Sequence, residues 1–150
     1  MGCGTAMEAA VRLLQDEQML QSLESCKVKF TGIILDSGFS SLANIGAEWV
    51  PCLEICKSDV FHGENWNNLR QIENISKMEY LKNSIKFLVV NCHDDQICGI
   101  QHSSKIVDKL MSLGLKFNSH TFLAGGHNDY YNVAANEYEY DQLLAVFFSN

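Results

Sequence analysis

Apolar residues recur along this chain in two alternating rhythms. From Thr5 to about Ser25 they fall at Ala6, Ala9, Ala10, Leu13, Leu14 and Leu20, a helical period with Thr5 available as a cap. From Phe30 to Leu35 the run Ile33-Ile34-Leu35 is continuous, with Lys29 ahead of it and Asp36-Ser37-Gly38 behind, which predicts a strand buried on both faces. Helical spacing returns over Ser41–Ile55 (Leu42, Ile45, Trp49, Leu53), with Pro51 placed to kink or end the helix. The polar stretch Lys57–Asn68, carrying Gly63 and three asparagines, reads as a surface loop, and a short helix follows around Leu69–Met78. A second buried strand is predicted over Lys86–Asn91, running into a polar loop from Cys92 to Gly99. Ser103 opens a helix with Ile106, Val107, Leu110 and Leu113 on one face and Gly114 at its C-terminal cap. A third strand, roughly Lys116–Ala124, and a last helix, Tyr138–Phe148, complete the order.

Helices and strands therefore alternate, which predicts an α/β fold: about three parallel strands with helices on both faces, in one domain spanning 1–150. A chain of 150 residues, 47% hydrophobic and with a single proline, can bury a core of the size that this needs. A net charge of -7 without a run of Lys or Arg argues against nucleic acid and against an anionic membrane surface as partners. The six cysteines follow no repeating spacing and several fall in buried runs, so they read as reduced thiols of an intracellular, cytoplasmic protein. No stretch of 18 apolar residues predicts a transmembrane segment, and no signal-peptide pattern opens the chain.

In such a fold the chemistry collects at the C-terminal ends of the strands, here Asp36-Ser37, Asn91 to Asp95, and Gly125 to Asp129. A histidine on the glycine-flanked turn Gly125-Gly126-His127 is placed to act as a general base, and Asn91-Cys92-His93-Asp94-Asp95-Gln96-Ile97 offers acids one strand earlier. Acid then histidine, on successive strand ends, is the order of an α/β-hydrolase triad. Over nearly its full length the chain resembles that superfamily. Ile33–Phe39 looks like the strand after the nucleophile helix, Asn91–Ile97 like the loop with the acid, and Gly126-His127-Asn128-Asp129 and Asn65-Trp66-Asn67-Asn68-Leu69 are similar to forms in the depalmitoylase-like branch of serine hydrolases.

That resemblance implies Asp95 as the orienting acid, with Asp94 as the alternative, and His127 as the base. It also implies a G-x-S-x-G elbow just before the first helix. Laying Ala10 and Leu13 on the helix positions of the family puts Gly2 and Ala6 at the small positions, Gly4 at the nucleophile position and the Thr5 N–H in the oxyanion hole. Gly4 has no hydroxyl with which to attack a carbonyl. A one-residue shift offers Cys3 as a thiol instead, but it places Met1 where a small residue belongs. Ser40 follows a strand and precedes a helix, yet lacks the second glycine of an elbow. The resemblance thus implies the C-terminal portion of a hydrolase fold, starting at the elbow, whose ancestor cleaved acyl esters or thioesters and whose present activity is weak or absent. A three-strand remnant would leave an open edge on its first strand for a second copy or a partner chain, which gives the rival reading of a non-catalytic interaction module.

No cofactor or metal is expected. Cys92, His93, Cys98 and His102 lack zinc-knuckle spacing, and Cys52 and Cys56 read as buried small hydrophobes. Trp49, Trp66 and Tyr130, Tyr131, Tyr138 and Tyr140 read as packing and surface residues.

Overall fold

The central strand is the most buried of the three, and the sheet is built around it. In the computed structural model, which describes residues 2–50 and 66–149, β2 (Lys86–Cys92) is buried from Phe87 to Cys92. It is flanked by β1 (Gly32–Asp36) and β3 (Lys116–Phe122), both parallel to it, in the order β1-β2-β3. Ile33 stands opposite Phe87, and Val90 opposite His120. The sheet therefore delivers the ends Asp36, Cys92 and Phe122 to one rim.

The pleat sorts the apolar side chains onto two faces. Ile33, Leu35, Phe87 and Val89 form one core with Met7, Val11 and Leu14 of α1 (Gly2–Gln15), Ile72 and Ile75 of α4 (Asn68–Ser76), and Ile106 and Leu110 of α6 (Ile100–Ser112). On the other face Leu88, Val90, Cys92 and Phe122 pack with Tyr130 and with Phe147 of α7 (Ala134–Ser149). Helices thus cover both faces, as the alternation predicts. Each fully buried Leu, Ile or Phe in these layers contributes about 1.5–3 kcal/mol relative to exposure.

Several boundaries differ from the periodicity, each for a local reason. The continuous helix expected over Thr5–Ser25 is two helices, because Asp16 ends α1 and caps α2 (Glu17–Ser25), accepting from the N–H groups of Gln18 (2.9 Å) and Met19 (3.1 Å). A short helix, α5 (Glu79–Lys82), follows α4 and had no periodic signal. α3 (Leu42–Trp49) is capped by Ser41, and the expected continuation to Ile55, with Pro51, Cys52, Cys56 and the loop up to Asn65, lies outside the described residues. α6 begins at Ile100 rather than Ser103, and Gly114 (φ +65°) stands one residue past its cap in the left-handed conformation suited to glycine. β3 ends at Phe122, and α7 begins at Ala134, where Asn136, Glu137, Glu139 and Asp141 interrupt the apolar spacing of its first half.

Candidate active site

The turn after β2 carries two adjacent carboxylates with different surroundings. Asp95 has a fully buried side chain. Its Oδ1 accepts from the N–H groups of Ile97 and Cys98, both at 2.8 Å, and its Oδ2 lies 2.8 Å from Nδ1 of His127. Since a carboxylate only accepts, Nδ1 carries the proton, and Nε2 keeps the lone pair that a base requires. Asp94 is exposed and faces the other way. It accepts from the Cys92 thiol (2.9 Å) and from the N–H groups of Gly126 (2.8 Å) and Gly125 (3.3 Å). Those bonds, that from Cys92 foremost, hold its carboxyl below the ordinary range.

His127 is presented by a turn that its glycines make feasible. Gly125 (φ +129°) and Gly126 (φ +68°) occupy conformations that side chains rarely adopt, and a Cβ on Gly125 would collide with the backbone of Tyr130. From just past the end of β1, the Ser37 hydroxyl donates to the His127 carbonyl (3.1 Å). The side chain of His127 keeps 20% exposure and lines a cavity of about 260 Å³ with Cys3, Asp36, Ser37, Phe39 and Tyr131.

At the start of α1 the residues implied for the nucleophile and oxyanion roles diverge. Cys3 is half-buried on that cavity and donates its thiol proton to the carbonyl of Asp36 (3.0 Å); burial pushes its pKa up. Gly4 is buried against Phe39 and Trp66, and a Cβ there would stand 2.9 Å from Phe39 Cζ. Thr5 is exposed in the first turn. The structure thus brings Asp95, His127 and Cys3 to one rim, while Gly4 points into packing.

Two further networks escaped the sequence. Asp36, at the end of β1, accepts from the hydroxyls of Tyr130 and Tyr140, the latter at 2.9 Å. Burial first, and then this carboxylate, push Tyr140 up to about 12 and Tyr130 well above the usual phenol range. Ser40 is fully buried, with Oγ 2.9 Å from His102 Nδ1, and His102 Nε2 lies 3.0 Å from Glu48 Oε2. The Ser40 N–H also donates to Nδ1 (3.2 Å), so that nitrogen is the acceptor and Nε2–H points to Glu48. Burial holds His102 below the ordinary imidazole range, with Glu48 opposing. This serine, histidine and glutamate form a closed strut between the β1–α3 loop, α3 and α6, spaced too far apart in sequence for any motif to show them. Among the described residues no three His, Cys, Asp or Glu side chains gather as a metal set, and no helix is long and apolar enough to cross a membrane.

With this geometry in hand, comparison with known proteins is informative. The model of the prolyl oligopeptidase family (Peptidase_S9) matches residues 19–150. The chain belongs to the prolyl oligopeptidase family. That membership bears out the α/β-hydrolase resemblance. Solved structures agree on the fold. Acylaminoacyl peptidase of Pyrococcus horikoshii, in an orthorhombic crystal form, superposes with a TM-score of 0.54 at 16% identity, covering 79% of this chain and 19% of that one. An acylaminoacyl peptidase in complex with Z-Gly-Gly-Phe-chloromethyl ketone gives a TM-score of 0.58 at 18% identity, covering 81% and 20%. The uncomplexed Pyrococcus horikoshii enzyme gives 0.57 at 18%, covering 80% and 20%. The chain spans about a fifth of the length of these structures. No curated protein matches it. In this member of the prolyl oligopeptidase family, the three parallel strands with the helices around them match part of the α/β-hydrolase fold.

Proposed function

We propose that this chain carries the acid and base of a serine-hydrolase acyl-transfer site, corresponding to the C-terminal portion of the hydrolase fold. As written, it turns over acyl esters or thioesters weakly or not at all. The observation that supports the reading is the Asp95–His127 pair: a buried carboxylate fixed by two backbone N–H groups, with its second oxygen 2.8 Å from the imidazole. In this scheme Asp95 holds His127 in the Nδ1–H tautomer and stabilises the imidazolium formed when Nε2 takes a proton from an attacking hydroxyl. The Thr5 N–H is assigned to the oxyanion, and Gly4 occupies the nucleophile position without a hydroxyl to offer. Removal of such a nucleophile lowers kcat by several orders of magnitude, about 10⁶-fold in one well-studied protease. The amide bonds of acylated peptides, the substrates in the names of the structural relatives, join esters and thioesters as the bond class to assay.

The test combines a fluorophosphonate probe with p-nitrophenyl ester, thioester and acyl-peptide substrates on the pure protein. Absence of serine labelling and rates near the uncatalysed background are expected. Labelling of any serine would overturn the assignment of weak or no activity. The pair itself is tested by ¹⁵N NMR of the histidines, where the His127 Nδ1–H signal is expected in the parent and lost in Asp95→Asn.

A second reading, an interaction module, is favoured by the edge of β1, which among the described residues pairs only with β2. A homodimer or a complex built on that edge, together with the absence of probe labelling, would support it.

A further inference from the structure

We infer that Asp94 is a positioning residue for His127, its carboxylate clamping the Gly125-Gly126 turn and so setting where the imidazole stands against Asp95. This rests on the reading of Asp95 and His127 as acid and base.

The ladder between β2 and β3 ends at the pair Cys92–Phe122. Beyond it the amides of the glycine turn have no strand to bond, and both go to Asp94: Gly126 at 2.8 Å and Gly125 at 3.3 Å. The Cys92 thiol adds a third donor, at 2.9 Å, from the last position of β2. Where a side chain would stand Gly126 has open space, since a Cβ there would meet no atom within 4 Å. The hydrogen bond to Asp94 ties the residue just before His127 to the end of β2. On the far side the turn is tied by Ser37 Oγ to the His127 carbonyl (3.1 Å) and by Asn136 Nδ2 to the Ala124 carbonyl (2.8 Å). Asp94 is the tie that comes from the strand end bearing the acid. Because Asp94 and Asp95 are adjacent, one grips the turn while the other receives the imidazole, and the two cannot drift apart. A carboxylate whose oxygens are engaged in this way is not available to orient the ring, which separates the roles of the two aspartates.

The exposure of Asp94 makes the test clean, because its removal leaves no cavity in the core. In protein labelled with ¹⁵N at histidine and glycine, Asp94→Ala is expected to speed hydrogen exchange of the His127 Nδ1–H and of the Gly125 and Gly126 amides by about tenfold or more. Asp94→Asn, which keeps one acceptor oxygen, is expected to fall between, with the melting temperature close to that of the parent. Gly126→Ala strains the same turn at φ +68° from the donor side, with the Asp94 carboxylate left in place, and is expected to act in the same direction. Unchanged His127 exchange in both Asp94 variants would overturn the clamp alone. Absence of the Nδ1–H signal from the parent, or its persistence in Asp95→Asn, would overturn the underlying pair as well.

Discussion

Asp95 shows how much one side chain can be asked to hold. Its carboxylate is buried and takes two backbone donors and an imidazole, so truncation strands both amides as well as the ring. An unsatisfied buried donor costs about 1–3 kcal/mol. Asp95→Ala is therefore expected to lower unfolding stability by several kcal/mol in urea titrations, and Asp95→Asn by less. Gly4 makes the opposite point. A side chain there meets the ring of Phe39, and Gly4→Ser, the substitution that would restore a hydroxyl at the resemblance's nucleophile position, is expected to destabilise by about 1–3 kcal/mol through overpacking. At Cys3, which already faces the cavity, Cys3→Ser is expected to fold like the parent and to be the more productive host for a hydroxyl when ester hydrolysis is compared. His102 supplies a pH dependence. Its folded-state value lies below the ordinary 6.5, so the unfolded chain takes up a proton first as pH falls. Stability contributed by the neutral ring is then present above about 6.5 and declines below it until the folded value is passed. His102→Gln is expected to flatten that part of a stability-against-pH curve.

Among the elements, the tie between β1 and the C-terminal segment bears most directly on the site. Tyr130 and Tyr140 both donate to Asp36, and Tyr130 also stacks on Phe122 with ring centroids 5.1 Å apart. Tyr140→Phe is expected to cost about 1 kcal/mol in thermal or urea unfolding and Tyr130→Phe more, since Tyr130 is fully buried. The strands were legible from sequence because β1 and β2 are buried apolar runs and β3 closes the βαβ rhythm, although its residues Asn118, Ser119 and Thr121 are polar and exposed. The break at Asp16 was hidden because apolar spacing continues across it, and only capping chemistry marks the end of α1. For the site, the strand-end rule brought out Asp95 and His127. The strut Ser40–His102–Glu48 and the two phenols on Asp36 were invisible, because their hydrogen-bonded partners lie 54 to 104 residues apart and meet only through the fold.

For the molecule as a whole, a three-stranded parallel sheet leaves two sides differently dressed. β3 is exposed or half-buried at every position before Phe122, whereas β1 alternates half-buried and buried positions and presents a shorter edge of five residues. Under the interaction-module reading, sedimentation at rising concentration is expected to reveal a dimer, and amides of Gly32–Asp36 are expected to gain exchange protection in it. A strictly monomeric chain at high concentration would remove the support for that reading.

The pairing of two phenols on one carboxylate also limits how this scaffold can be rebuilt. Any chimera that grafts a foreign C-terminal helix onto these strands must bring hydroxyls to the height of Asp36 on both the short Tyr130–Asn132 turn and the helix, or retire the aspartate with them. Exchanging the helix alone would leave an acid facing a gap beside the cavity. The natural unit of transfer runs from β1 through the last helix, not from the histidine onward.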